Sequence, residues 1–425
     1  MKKKILIVDA ILLCILLLIG GILLIKHFGE KASSGIGAGA ESTPSGTSFL
    51  VGEPIPAEQQ TDSDVVSDDP VTSDTDVTAE GENGADTAVS EEEIPEEAPL
   101  EPVHIIYTGD VCVQNSIQVT YDGGGIGAIL SDDLRERLNA ADITVINHEF
   151  AMSDRGEPAP DKQYTFRAAP KYASLLQEMG ADIASLANNH ALDYGKEALS
   201  DTFTCLDAAG IDYMGAGESE GRAAEMITRQ VGDYCIGFMA ASRVYPVVSW
   251  NVLNSTPGML PAYDPDYLAA QVKQKAPLCD YLIIYLHWGV ERETYPEEYE
   301  RTLGKMLIDA GADAVVGSHP HVLQGMEFYK GKPIFYSLGN FVFNASIART
   351  AYLEATVDLA AAAEHGADEL SDYVTWSITP CKASDYCTRV ITDPAAVAEF
   401  QSYMKSISYD VDIAEDGTIL NLRGN

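Results

Sequence analysis

Asp110, Glu149, Asn189 with His190, His287, and His319 with His321 share one kind of position: each ends, or closely follows, a short apolar run. The runs are HIIYTGD, ITVINHE, IASLANNH, YLIIYLHWG and AVVGSHPH. Carboxylate, amide and imidazole groups are the ligands that hard and borderline divalent cations take. Runs of this length read as strands, and in α/β folds the reactive groups gather just beyond the carboxyl ends of strands. Five run ends delivering such groups predict one shared site, a metal centre.

Taken singly, these residues keep plainer readings open. Gly109 frees the backbone to turn sharply, so that the Asp110 carboxylate projects into a crevice, yet an aspartate there is equally suited to capping the next helix. Glu149 can bridge two cations, whose charge offsets its desolvation, or it can be a surface acid at a strand end. In Asn188-Asn189-His190 the amide oxygen is a neutral ligand, and the adjacent imidazole can donate a proton near neutral pH. Asp193, three residues on, is placed to orient that ring. The same residues would also suit a simple turn, and His287 a hydrogen-bonded core position. His319-Pro320-His321 is more distinctive, because residues i and i+2 of an extended segment point the same way and proline favours extension of the residue before it.

Groups on one rim need strands that run the same way, with helices carrying the chain back. From Val103 onward, apolar runs of four to seven residues alternate with segments of helical period, the signature of βαβ construction and a largely parallel sheet. The helical candidates are Ser131–Ala140, Pro170–Met179, Lys196–Ala209, Pro265–Gln274 and Glu297–Ala310; Gly210 and Gly311 follow two of them, where a left-handed cap belongs. The strand candidates are His104–Thr108, Ile143–Asn147, Ile183–Ala187, Tyr234–Ala240, Leu282–Leu286, Ala314–Gly317 and Ile334–Leu338. Beyond Asn340 the pattern changes. Tyr352–Leu359 and Tyr373–Thr379 read as antiparallel strands joined by an acidic, Ala-rich loop and completing a two-layer core, followed by a helix over Ala395–Ser406 and a short polar tail.

The first hundred residues read differently. Lys2, Lys3 and Lys4 precede an apolar run from Ile5 to Ile25, long enough to cross a hydrocarbon core as a helix and longer than the apolar region of a cleaved signal. Residues 1–28 are therefore expected to be a cytoplasmic stub and uncleaved single-pass anchor, with the remainder outside the cell by the positive-inside rule. From Ala32 to Val103 the chain has 18 acidic residues and no Lys or Arg, so 29–102 reads as a disordered acidic linker. The whole chain carries 65 acidic against 27 basic residues, a net charge of −38. So anionic a protein is not expected to bind nucleic acid through its general field. Its seven cysteines form no spaced metal motif; Cys381 and Cys387 are close enough in sequence for a small loop disulfide, whereas Cys112, Cys205, Cys235 and Cys279 read as core thiols.

Several motifs together resemble a known family. Gly109-Asp110, Asn147-x-Glu149, Leu186 to Gly195 (LANNHALDYG), His287-Trp288-Gly289-Val290-Glu291, Gly317 to Gly325 (GSHPHVLQG) and Tyr336 to Phe343 (YSLGNFVF) resemble the CapA family of poly-γ-glutamate capsule synthesis proteins, over about Val103 to Ala383. The resemblance implies a four-layer α/β/β/α sandwich of the calcineurin-like metallophosphoesterase type over 103–390, with 391–425 as a C-terminal extension. It implies two divalent ions (Mn, Zn or Fe), one held by Asp110 and His321, the other by Asn189, His287 and His319, with Glu149 bridging them. His190, oriented by Asp193, would give a proton to a leaving group, and Asn340 would contact substrate. One position departs from the phosphoesterase pattern: Cys112 stands where Asp-x-His has its histidine, which weakens the first metal site. The implied function is synthesis, export or attachment of an anionic capsule polymer at the cell membrane, alongside capsule synthase or export proteins. A surface metallophosphoesterase and a non-catalytic scaffold of an export complex are the alternatives.

Overall fold

Strands buried along their whole length, with side chains alternating between two faces, explain how the chain builds two sheets covered on both sides. The computed structural model describes residues 100–366 and 369–424. In chain order its main strands are β1 (Val103–Val111), β2 (Ile143–His148), β3 (Ile183–Ser185), β4 (Asp212–Met214), β5 (Ile227–Val231), β6 (Tyr234–Ser242) and β7 (Tyr281–His287). They continue with β8 (Ala314–Ser318), β9 (Met326–Tyr329), β10 (Lys332–Phe335), β11 (Asn340–Val342), β12 (Ile347–Val357), β13 (Val374–Ser384) and β14 (Cys387–Val390). The first sheet has the order β14-β13-β12-β1-β2-β3-β4, with β11 also paired to β1; the second has the order β9-β10-β8-β7-β6-β5. In the first sheet β1 to β4 are parallel and β12 to β14 add antiparallel strands on one side, whereas in the second the parallel centre has an antiparallel strand at each edge, so the sheets are mixed rather than largely parallel.

Alternate side chains go to opposite faces. On β1, Ile105 and Tyr107 join one apolar cluster with Phe238 of β6 and Ile283 and Tyr285 of β7. Ile106, between them, joins another with Leu134 and Leu138, Leu175 and Leu176, and Leu199, which lie on helices α1 (Asp132–Ala140), α2 (Ala173–Met179) and α3 (Gly195–Ala209). On the second sheet, Met239, Ala241 and Ile284 turn to Leu268, Val272, Leu303 and Leu307 of helices α4 (Pro265–Lys275) and α5 (Glu298–Asp309). Both sheets are thus covered on both faces, which is why their central strands read as unbroken apolar runs. Helix α6 (Pro394–Ile407) adds Phe400 and Met404 to the cluster that both sheets share.

Some expected elements differ. The Ala-rich loop contains a helix, Leu359–His365, which Asp358 caps by accepting from Ala361 N–H at 3.0 Å and Gly366 ends at φ 59°. The polar tail folds into an antiparallel pair, Val411–Ile413 with Ile419–Asn421, because Val411, Ile413 and Ile419 find apolar cover. The strand expected at Ile334–Leu338 begins at Lys332 and stops at Phe335. Cys381 and Cys387 are free, buried thiols. The β13–β14 register pairs Cys381 with Val390 and Cys387 with Ser384, so the two sulfurs do not face each other. The expected anchor and all of the linker before residue 100 lie outside the described residues. Among the described residues no helix is long and apolar enough to cross a membrane.

Candidate metal centre

Asp110 is the eighth residue of β1, a buried carboxylate inside a sheet. Gly109 before it makes no sharp turn. Its role is close approach: a Cβ there would sit 1.9 Å from the Gly339 carbonyl oxygen, and that carbonyl accepts the Asp110 N–H at 2.8 Å. Glu149 follows β2 and is fully buried. Asn189 and His190 come from the turn after β3, His287 ends β7, and His319 and His321 leave β8. The first sheet therefore supplies Asp110, Glu149, Asn189 and His190, and the second supplies the other three histidines.

His319-Pro320-His321 is not extended. His319 has φ 103° and His321 φ 60°, both in the left-handed region that β-carbon-bearing residues avoid. Proline holds its own φ near −65°, so the turn that brings both rings back over the sheet edge falls on its neighbours. Strain of this kind costs on the order of 1–3 kcal/mol per residue and persists where surrounding structure imposes it.

Two groups of residues bring one ligand atom each within 4.8 Å of one another: Glu149, His287 and His319, and Asp110, Glu149 and His321. Glu149 belongs to both. Four buried polar atoms here have no hydrogen-bond partner, namely Asp110 Oδ2, both Glu149 carboxylate oxygens and His319 Nδ1. Buried polar atoms are nearly always partnered, so orphans gathered in one place fit a cation. The protonation states of His287 and His319 agree. Burial, reinforced by the other histidines, holds His287 well below the usual histidine range and brings His319 down to about 3, leaving neutral rings of the kind metals bind. Burial and the nearby Asp110 push the Glu149 carboxyl well up, a cost that a cation would reverse. For His321, burial is outweighed by Asp110, Glu149 and Asn340, and its value rises to about 10. His321 Nδ1 lies 3.3 Å from Asp110 Oδ2 and 2.8 Å from Asn340 Oδ1.

Supporting contacts fix these groups. His287 Nε2 is 2.8 Å from Asn189 Oδ1, and its Nδ1 is 3.0 Å from Ser318 Oγ. Asn147 donates to Asp110 at 2.8 Å, and Asn188 donates to Asn147 Oδ1 and to the His148 carbonyl. His190 Nδ1 lies 2.6 Å from Asp193 Oδ2, its ring stacks on Phe166 at 4.0 Å, and its Nε2 is 3.9 Å from Glu149. Sequence reasoning missed Lys162, whose Nζ donates to Asp193 and to the Asn189 carbonyl and lies 3.0 Å from His190 Nδ1. It sits in a loop without periodicity, 28 positions before His190, so no local signal points to it. Cys112 packs among the apolar residues under the helices, and burial, with Glu149 nearby, pushes its thiol well up. It stands in neither ligand group. His148 is also buried, its ring tilted against Phe150 with centroids 3.9 Å apart, and pushed down to about 3 by burial. A cavity of about 920 Å³ opens beside the centre, with Lys162, Phe166, Asn189, His190, His321 and Asn340 in its wall.

Residues 104–345 match the family model described as bacterial capsule synthesis protein PGA_cap. The PGA biosynthesis protein CapA of Bacillus subtilis (strain 168) is 31% identical over 248 residues, covering 57% of this chain and 64% of that one. The capsule biosynthesis protein CapA of Bacillus anthracis is 36% identical over 194 residues, 45% of this chain and 47% of the other. The match thus spans less than two thirds of either relative's own length. Among solved structures, a hypothetical protein from Thermus thermophilus shows a TM-score of 0.38 at 16% identity, covering 61% of this chain and 95% of that one. Sulfate thiohydrolase SoxB of the same organism shows 0.36 at 13%, over 61% and 54%. Likeness this distant assigns no activity. The family match covers more than half of the chain and includes every motif on which the CapA resemblance rests: the chain belongs to the PGA_cap family of bacterial capsule synthesis proteins.

Proposed function

We propose that this protein is a membrane-anchored, extracytoplasmic CapA-like protein acting in synthesis, export or attachment of poly-γ-glutamate or a related anionic capsule polymer, through a metal-dependent hydrolase or transfer site. The observation that carries the catalytic part is the set of buried atoms without a hydrogen-bond partner, both Glu149 oxygens and His319 Nδ1 above all, beside Asp110 Oδ2, which faces only His321 at 3.3 Å. In this reading Asp110 and His321 would hold one divalent ion (Mn, Zn or Fe) and Asn189, His287 and His319 the other, with Glu149, which belongs to both groups, available to either. The same reading takes the helix, sheet, sheet and helix layers as a sandwich of the metallophosphoesterase type. Bound ions supply Lewis acidity toward a phosphoryl or carbonyl oxygen and lower the pKa of water.

The chain's own residues do the rest. His190 moves a proton at Nε2 to the leaving group, and Asp193 at 2.6 Å holds the opposite nitrogen. Phe166 covers one face of that ring and limits water around it. Asn340 holds His321 through its amide oxygen and, as part of the cavity wall, is the candidate substrate contact. A second reading, a surface metallophosphoesterase, draws on the same His190–Asp193 pair and differs only in the electrophile. Metal content of the purified protein tests the centre: near-stoichiometric Mn, Zn or Fe is expected, with loss in Glu149→Gln and His319→Ala. Metal-free wild type that gains no stability from added Mn²⁺ would sink both readings. Release of phosphate from phosphomonoesters, against cleavage or transfer of γ-linked glutamate oligomers, separates them.

A further inference from the structure

The cavity beside the metal centre reverses the charge of the molecule. The chain has 65 acidic residues to 27 basic ones, yet the cavity wall carries Lys162, Arg292 and Arg349 against a single carboxylate, Glu291. Two of these cations are already engaged. Lys162 is paired with Asp193, and Arg349 lies 3.0 Å from Glu399 and over the Tyr403 ring. Arg292 differs. Among the described residues its guanidinium has no carboxylate within ion-pair distance, no hydrogen bond and no aromatic ring beneath it, whereas Arg135, Arg155, Arg222, Arg229, Arg301 and Arg423 each pair with a carboxylate. Arg167 and Arg243, which have no such pair, lie over tyrosine rings instead. Arg137, on α1, has none of these partners either, so what sets Arg292, an exposed residue, apart is its place in the cavity wall.

Its backbone is held in place. Arg292 has φ 67°, a left-handed conformation costly for a residue with a Cβ, and its N–H donates to the Pro320 carbonyl at 2.8 Å. That carbonyl belongs to the loop carrying His319 and His321. The chain thus ties an uncommitted guanidinium to the loop that bears two candidate ligands.

We infer that Arg292 is an anion anchor in the cleft: it holds a carboxylate or phosphate group of the ligand outside the reacting position, where a planar guanidinium can make two parallel charge-assisted hydrogen bonds. The inference deepens the reading of the cleft as the substrate site and rests on it for the reacting end. The two sources of the oxyanion are a γ-linked glutamate oligomer and a phosphorylated ligand.

Calorimetry on the full-length protein tests it, with a γ-linked glutamate oligomer and inorganic phosphate as probes and metal content read on every sample. Arg292→Gln is expected to weaken one probe about tenfold or more while metal content stays at the wild-type level, Arg292→Lys to recover part of the loss, and Arg349→Gln to have a smaller effect. Loss confined to the oligomer identifies a carboxylate ligand, and loss confined to phosphate identifies a phosphorylated one; either supports the assignment. Equal affinities in wild type and Arg292→Gln, or no binding of either probe by the wild type, overturns it. Metal-free protein in which Arg292→Gln still weakens a probe would remove the metal-centre reading and leave this one standing.

Discussion

At the scale of single residues, neighbours set the chemistry of the centre. His319 and His321 are two positions apart, yet burial brings one ring down to about 3, and Asp110 with Glu149 carries the other up to about 10. Lys162 is held among Asp193, His190 and the Asn189 carbonyl, with burial lowering its ammonium and Asp193 drawing it back up. Removing the ring's orienter while keeping its shape isolates this support. Asp193→Asn is expected to cost about 10–100-fold in turnover, with metal content unchanged, because outer partners of this kind act through the group they hold. Steady-state rates and metal analysis of the same preparation check it. Lys162 also marks the limit of reading residues from sequence. Strand-end residues announce themselves through the apolar runs before them, whereas Lys162 reaches the site only because its loop folds back across the turn after β3.

Among elements, strongly periodic segments were legible and packing-dependent ones were not. Helix α5 has its capping box at Glu297 and Glu300, and β7 is an unbroken apolar run; both match the sequence expectation to within two residues. The helix Ser116–Gly124 was missed, since Val119, Thr120 and two glycines give it poor intrinsic propensity and Ile117 is its one buried residue. The bend at Pro320 was misjudged for the related reason that tertiary demands overrode a local preference. Gly109 shows the same thing with an energy attached. In Gly109→Ala the new methyl would meet a backbone oxygen, which cannot rotate away, so β1 and the Gly339 segment must part. The variant is expected to lose about 1–3 kcal/mol in denaturant unfolding, together with part of its metal, because Asp110 moves with the strand. Wild-type stability and metal content in that variant would refute the close-approach account.

For the molecule as a whole, pH acts through buried groups other than the candidate ligands too. Glu300 is buried at the start of α5, accepting from the Glu297 N–H at 2.7 Å, and burial raises its carboxyl to about 7. A folded-state value above the unfolded one means that the folded protein holds the extra proton, so this contribution is full below the unfolded value and is lost as pH rises through about 7. Glu300→Gln is expected to gain stability relative to wild type between about pH 5 and pH 8, by on the order of 2–3 kcal/mol at roughly 1.4 kcal/mol per unit. Parallel pH–stability curves for the two proteins would contradict this. The division of the candidate ligands between two sheets has a consequence in time. Neither sheet alone presents a complete ligand set, so an ion can be gripped only after the sheets have docked, late among the long-range steps of folding. Contacts made after the folding transition state leave the folding rate nearly untouched and slow unfolding instead. A bound ion would then act as a rivet on lifetime, prolonging the folded state without hastening its assembly.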